Sequence, residues 1–139
     1  MNIEHGDSAA VSPLPPRPIP VTAGAMMLLG SALVLIVTWA VGVDAVDNNG
    51  GRVFFVVLWG FLAWSAYNGS GWVRGAVVAI FAVAVFGFVN APAFDEAVGA
   101  LPTGDVISKI LALASLPVLW SPPARRWFAA VGEARARAP

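Results

Sequence analysis

The sequence predicts an all-α integral membrane protein, built as a bundle of four spanning helices with both termini in the cytoplasm. Of its 139 residues, 58% are hydrophobic and 12% are charged, whereas a soluble domain has about 25% charged residues. The mean hydropathy is +0.77. The charges fall in short clusters that separate four apolar runs, as expected when each run crosses a bilayer.

The predicted spans cover about residues 21–43, 53–67, 75–91 and 106–120. The second and fourth are shorter than the ~20 residues that cross a bilayer. We therefore expect the second to extend back past Arg52 towards Asn49, and the fourth to include Lys109, whose long stem can reach the outer surface. The third run, GAVVAIFAVAVFGFVNA, lacks the polar stripe of a helix in a soluble bundle, which argues against that alternative.

The first run has an alternative interpretation as a cleaved signal peptide, because AVG at 40–42 has small residues at a suitable spacing. The run is longer than the apolar core of a usual signal peptide, and a long polar segment precedes it. We interpret it as an uncleaved span.

Basic residues give the orientation, because lysine and arginine concentrate in short cytoplasmic loops. With four spans, six of the eight basic residues share one side: Arg17, Arg74, Arg125, Arg126, Arg135 and Arg137. The other side has Arg52 and Lys109, together with these acidic residues: Asp44, Asp47, Asp95, Glu96 and Asp105. Three or five spans would mix the charges. The sequence therefore predicts a multi-pass protein of the cytoplasmic membrane.

The segment WSAYNGSGWVRG at 64–75 is predicted to be a cytoplasmic turn, because Asn and Gly accept positive φ. Its aromatic residues fit a belt at headgroup level. The predicted anchors at the inner interface are Trp64, Tyr67, Trp72, Arg74, Trp120, Arg125, Arg126 and Trp127. A binding site in this segment is the alternative. The similar WSPPARRWFAA after the fourth span leaves open a duplication of two hairpins.

Two tails flank the transmembrane domain of residues 21–121. Residues 1–20 end in PLPPRPIP, which favours a stiff polyproline II tail; docking to an SH3-like partner is the alternative. Pro117 should kink the fourth span. In the basic tail of residues 122–139, Trp127, Phe128 and Val131 can share one apolar face, which predicts a short helix on the inner leaflet with its arginines near anionic lipid headgroups.

The sequence has few residues of the kinds that act in catalysis or bind metal ions. The chain has no cysteine, and its one histidine, His5, lies in the N-terminal tail. Asp95, Glu96 and Asp105 on the outer loop offer carboxylates for a cation but lack EF-hand spacing. The net charge of zero does not point to nucleic acid. We therefore predict no catalytic residue, metal or cofactor; an enzyme that uses the acidic loop is the least favoured alternative.

Small residues predict helix packing, because they let helix backbones approach closely; the candidates are Gly60, Ala63, Gly75 and Ala79. The polar residues within the spans are expected to serve structure: Ser31, Thr38, Ser65, Asn90, Ser108 and Ser115. We expect an accessory or scaffolding subunit that packs with itself or with a larger membrane complex. The alternative is an oligomeric carrier or channel for an apolar or small neutral solute.

Three segments carry a resemblance: RPIPVTAGAMMLLGSALVLI, GWVRGAVVAIFAVAVF and LPVLWSPPARRWF. They are similar to small four-span membrane proteins common in actinobacteria, which have a Pro-rich lead-in, a Gly-Arg-x-Trp-Ala-Arg-like turn before the third span and a Leu-Trp-x-Pro-Pro-x-x-x-Trp-Phe ending. This chain has one arginine where that turn often has two or three. The resemblance implies the topology and a location in the cell envelope, and it implies no activity.

Overall fold

A computed structural model describes residues 15–42, 49–89 and 103–137, and in these ranges every regular element is an α-helix. The helices are α1 (Ile19–Ala40), α2 (Asn49–Tyr67), α3 (Val73–Val89), α4 (Thr103–Leu119) and α5 (Pro122–Arg137). The all-α class predicted from the sequence is confirmed. As expected, α2 extends back to Asn49 and α4 includes Lys109. The predicted sites at Asn90, Asp95 and Glu96 lie outside the described residues.

Among the described helices, α1 alone is long and apolar enough to cross a membrane by itself. The apolar parts of α2 and α3 are shorter. Helix α4 meets the same criteria only together with α5, and the two axes are bent by 77°. The helix runs through Pro117 to Leu119, and the sharp change of direction follows at 120–121. A buried core helix or a signal sequence also meets these criteria, so α1 is weak evidence for a membrane.

Helix α1 lies at the centre of the fold, between α4 on one side and α2 on the other. Its buried residues are Val21, Gly24, Ala25, Leu28, Ser31, Ala32 and Leu35. The buried residues of α4 are Gly104, Ser108, Ala112, Ser115 and Leu119. Both sets are rich in small side chains, which lets two helix backbones approach closely. At Gly24 the approach is closest, because a Cβ atom there would lie 2.5 Å from Leu119 Cγ.

Aromatic stacking joins α2 to α3. The Trp59 ring is buried and lies 6.3 Å from the Phe55 centroid on its own helix and 6.2 Å from the Phe81 centroid on α3. Val73 and Val77 place the first half of α3 in the same core. The second half of α3 is exposed from Ala82 to Phe86. Helix α3 is therefore held mainly at one end.

Three hydroxyl groups within the helices bond to their own backbone, as the sequence predicts, whereas the buried Ser108 Oγ has no hydrogen-bond partner in the described part of the chain. Ser31 Oγ donates to the Met27 carbonyl at 3.0 Å, and Thr38 Oγ1 donates to the Val34 carbonyl at 2.9 Å. Ser115 Oγ donates to the Ala112 carbonyl at 2.6 Å. These bonds satisfy polar groups locally in an apolar environment. They support a structural role for these three residues.

Candidate functional site

Three segments that are distant in the sequence meet at one end of the bundle, which we call the basic end: residues 15–18, the turn at 68–72 and α5. Trp127 Nε1 donates to the Pro15 carbonyl at 3.1 Å. Arg17 Cζ lies 3.5 Å from the Tyr67 ring centroid, within the range of a cation–π interaction. Arg135 donates a hydrogen bond to the Asn68 carbonyl. Arg17 and Arg135, two of the six arginines that the charge pattern assigns to one side, therefore contact the end of α2 and the turn that follows it, respectively.

The turn at 68–72 closes α2 with a Schellman motif. The Gly69 N–H donates to the Ala66 carbonyl at 3.0 Å, and the Ser70 N–H donates to the Ser65 carbonyl at 2.9 Å. Gly69 has φ +82°, which a residue with a side chain rarely adopts. The Asn68 side chain also donates to the Trp64 carbonyl at 2.9 Å. The turn predicted from Asn and Gly is therefore present, with a defined reason for glycine at position 69.

The apolar face of α5 packs against this turn. Ala124, Trp127, Phe128 and Val131 are buried, so the shared face predicted from the sequence exists. However, it covers the bundle and is not free to enter lipid. The physical reason is Gly69: a Cβ atom there would lie 2.7 Å from Val131 Cγ1 and 3.1 Å from the Trp127 ring. The missing side chain leaves a notch that α5 fills.

The predicted interface anchors divide into two groups. Trp64, Trp72 and Trp120 are more than half exposed, and Tyr67 is 42% exposed. The exposure of these rings is what the structure shows; the belt at headgroup level stays a prediction. Arg125 and Arg126 are exposed as well. Trp127, in contrast, is only 8% exposed and connects α5 to the N-terminal segment.

Arg74 and Arg125 line one open cavity of about 390 Å³, which we call the arginine cleft; Gly71, Gly75 and Trp120 form the rest of its lining. Arg74 is held in place, because its Nε donates to the Gly71 carbonyl at 3.3 Å and its Cζ lies 5.1 Å from the Phe128 ring centroid. Burial, and second the positive charge of Arg125, lower the pKa of Arg74 below the ordinary value of an arginine.

The carboxylates in the described ranges are paired elsewhere. Asp105 lies 3.6 Å from Lys109 on α4, and Glu133 lies 3.6 Å from Arg137 on α5. No ion pair within the described part of the chain involves Arg74 or Arg125. The arginine cleft thus has two cationic side chains and, among the described residues, no counter-charge.

A second cavity is apolar and lies between α2, α3 and α4. It has a volume of about 340 Å³ and is lined by Phe55, Trp59, Ile80, Phe81, Ala84, Val85, Lys109 and Leu113. A wider open groove of about 590 Å³ continues between α3 and α4, past Phe86 and Leu116. We call the two together the apolar crevice. It exists because α3 is packed mainly through its first half.

The four small residues predicted to pack helices have different environments. Ala63 is in the core. No atom lies within 4 Å of a Cβ placed on Gly60 or Gly75, and Ala79 is exposed. Close packing inside the chain instead uses Gly24 and the stripe at 104, 108, 112, 115 and 119 of α4. In α4 these buried positions recur every three or four residues, and that spacing was the signal in the sequence for close packing of this helix.

In the ranges 15–42, 49–89 and 103–137, no three His, Cys, Asp or Glu side chains are grouped for a metal ion. Of the acidic residues predicted for the outer loop, Asp105 is paired with Lys109, and Asp95 and Glu96 are outside these ranges. Comparisons with family models, with individual known proteins and with solved structures find no match to the chain.

Proposed function

We propose that the chain is a four-span protein of the cytoplasmic membrane, with both termini inside, and that it works as an accessory or scaffolding subunit. Its role is to pack within the bilayer against a second copy or a larger membrane complex. The observation that carries this proposal is the exposed small-residue face of α3. Two further features support the membrane location and the orientation.

Exposed apolar side chains support the membrane location. Large side chains on all of α1 to α4 are about half exposed or more: Met26, Leu33, Phe54, Phe61, Val83, Phe86 and Ile110. A soluble monomer rarely exposes so extensive an apolar surface. At ~1.5 Å per residue, the 19 residues of α2 extend about 28 Å and the 17 residues of α3 and α4 about 26 Å. These lengths approach the ~30 Å of a hydrocarbon core.

The basic end supports the orientation. Arg17, Arg74 and Arg135 converge there, and exposed Trp64, Trp72 and Trp120 accompany them. Cytoplasmic loops are enriched in arginine, and tryptophan is enriched at the membrane–water interface. Placing this end at the inner leaflet satisfies both preferences.

The face of α3 formed by Gly75, Ala79 and Ala82 supports the mode of packing. All three residues are exposed, and Gly75 has open space at its Cβ position. The positions are four and three residues apart, so they lie on one side of the helix. In lipid, where there is little hydrophobic drive between helices, such small residues favour association through close backbone contact.

Leucine at Gly75 and Ala79 tests the proposal. The double variant should still fold, because neither position is packed within the chain. It should lose association about tenfold, since leucine would overpack a close helix contact, which costs roughly 1–3 kcal/mol. Cross-linking in native membranes, followed by mass spectrometry of the linked species, measures this. Ala114→Leu on the exposed side of α4 is the matched control. Equal cross-linking of both variants and the native chain would rule out this face.

The apolar crevice favours a second candidate, an oligomeric carrier or channel for an apolar or small neutral solute. Its walls are aromatic and aliphatic, and its charged lining residue, Lys109, is paired with Asp105. Such a lining accommodates a ligand without charge. Purification of a homo-oligomer with a stoichiometric apolar molecule would favour this function. Co-purification of a larger membrane protein instead would favour the accessory role.

A further inference from the structure

We propose that the arginine cleft binds the phosphate group of an anionic phospholipid in the inner leaflet, through the guanidinium groups of Arg74 and Arg125. The inference rests on the proposed membrane placement and deepens it, because it assigns a specific lipid site and not only a general attraction to the surface. Binding would fix the α2–α3 turn to the end of α4.

The two positive charges of the arginine cleft favour the binding of an anion. Arg74 and Arg125 line the same cavity, and neither pairs with a carboxylate in the described ranges. Their mutual repulsion contributes to the lowered pKa of Arg74. The lowered pKa does not remove the charge of Arg74 at neutral pH, because arginine in proteins is effectively always protonated. A phosphate between the two arginines would relieve the repulsion and accept charge-assisted hydrogen bonds from both.

One of the two guanidinium groups is already positioned. The Nε–H group of Arg74 donates a hydrogen bond to the Gly71 carbonyl, and the guanidinium packs over the Phe128 ring. Its terminal N–H groups remain as donors for a ligand, at a lower entropic cost than a free side chain would pay. The neighbouring Gly75 has no side chain, so the backbone of the first turn of α3 is open to the cavity.

The surroundings favour a lipid over a soluble phosphate. Trp120, 53% exposed, forms one wall of the cleft and follows directly after the apolar α4. Exposed apolar residues of α3, such as Val78, begin one turn away from Arg74. The cleft thus lies at the border between the apolar exterior and the basic end. A phospholipid has both parts, a phosphate for the arginines and acyl chains for the apolar surface.

The test is a lipid titration of the purified full chain in a neutral detergent, measured by native mass spectrometry. Arg74→Gln/Arg125→Gln should bind phosphatidylglycerol about tenfold more weakly, since a hydrogen bond to a charged group has about that effect. Arg126→Gln/Arg137→Gln removes the same charge outside the cleft and should bind as the native chain does. Phosphatidylcholine should bind all three proteins weakly. An equal loss in both double variants would overturn the site.

Three further measurements separate the possible outcomes. Arg125→Gln alone, at an exposed side chain, should weaken binding without affecting the fold; no effect would contradict the proposal. Competition by inorganic phosphate or glycerol 3-phosphate at equal concentration would identify a soluble ligand and overturn the lipid assignment. Extraction of the native chain by alkaline carbonate would refute the membrane proposal itself. Resistance to extraction, combined with no discrimination between variants, would refute only the cleft.

Discussion

Replacing Gly69 with alanine is expected to lower the free energy of unfolding by about 3 kcal/mol, from backbone strain and overpacking together. The strain arises because position 69 has φ +82°. The overpacking arises because the new Cβ would lie 2.7 Å from Val131 Cγ1 and 3.1 Å from the Trp127 ring. Helix α5 would have to move away from the turn, and the contact of Trp127 with Pro15 would be lost with it.

Thermal unfolding in detergent, followed by circular dichroism, measures the effect of Gly69→Ala. Gly60→Ala is the matched control, because position 60 lies within a helix and has no atom within 4 Å of the Cβ position. It should be neutral or slightly stabilising, since alanine is the better helix former. Adding Val131→Ala to Gly69→Ala should relieve the contact with Val131 Cγ1 and leave the backbone strain at position 69. A Gly69→Ala protein as stable as the control would contradict the packing of α5 on the turn.

Gly24→Ala is expected to destabilise the protein by about 2 kcal/mol, in the range for overpacking of a close-packed core. A Cβ at position 24 would lie 2.5 Å from both Cγ and Cδ2 of Leu119, which is fully buried. Rotation about χ2 leaves Leu119 Cγ in place, and a new χ1 rotamer would have to displace the close-packed neighbours of a fully buried side chain. The axes of α1 and α4 would have to separate.

The control for Gly24→Ala is Gly30→Ala on the same helix. At position 30 the nearest atom, Leu111 Cδ1, is 3.9 Å from the Cβ position, an ordinary contact. Both substitutions improve helix propensity equally, so the difference in their melting temperatures reports the α1–α4 contact alone. Equal melting temperatures would contradict the central position of α1 against α4.

The features predictable from the sequence are those with local causes. Apolar runs predict the helices, and Asn68 with Gly69 predicts the turn, because backbone preference acts over a few residues. The shared face of Trp127, Phe128 and Val131 follows from helical periodicity. The sequence did not predict what covers that face, because the notch at Gly69 is more than fifty residues away from α5.

The arginine cleft was beyond sequence analysis for the same reason. Arg74 and Arg125 were each predicted as interface anchors, but their meeting in one cavity depends on how α3 and α5 are placed by the core. The buried stripe of α4, from Gly104 to Leu119, could have been predicted from the spacing of its residues in the sequence. It was obscured by the abundance of alanine and glycine elsewhere in the chain, which makes such spacings common by chance.

Single-cysteine labelling tests the central claim, the four-span arrangement, most directly. The chain has no cysteine, so Ser70→Cys, Ala129→Cys and Asp95→Cys can each report one position. With a membrane-impermeant maleimide, Asp95→Cys should react in intact cells. Ser70→Cys and Ala129→Cys should react only after the membrane is permeabilised. Labelling of Ser70→Cys in intact cells, or of all three positions only after permeabilisation, would contradict the four-span arrangement.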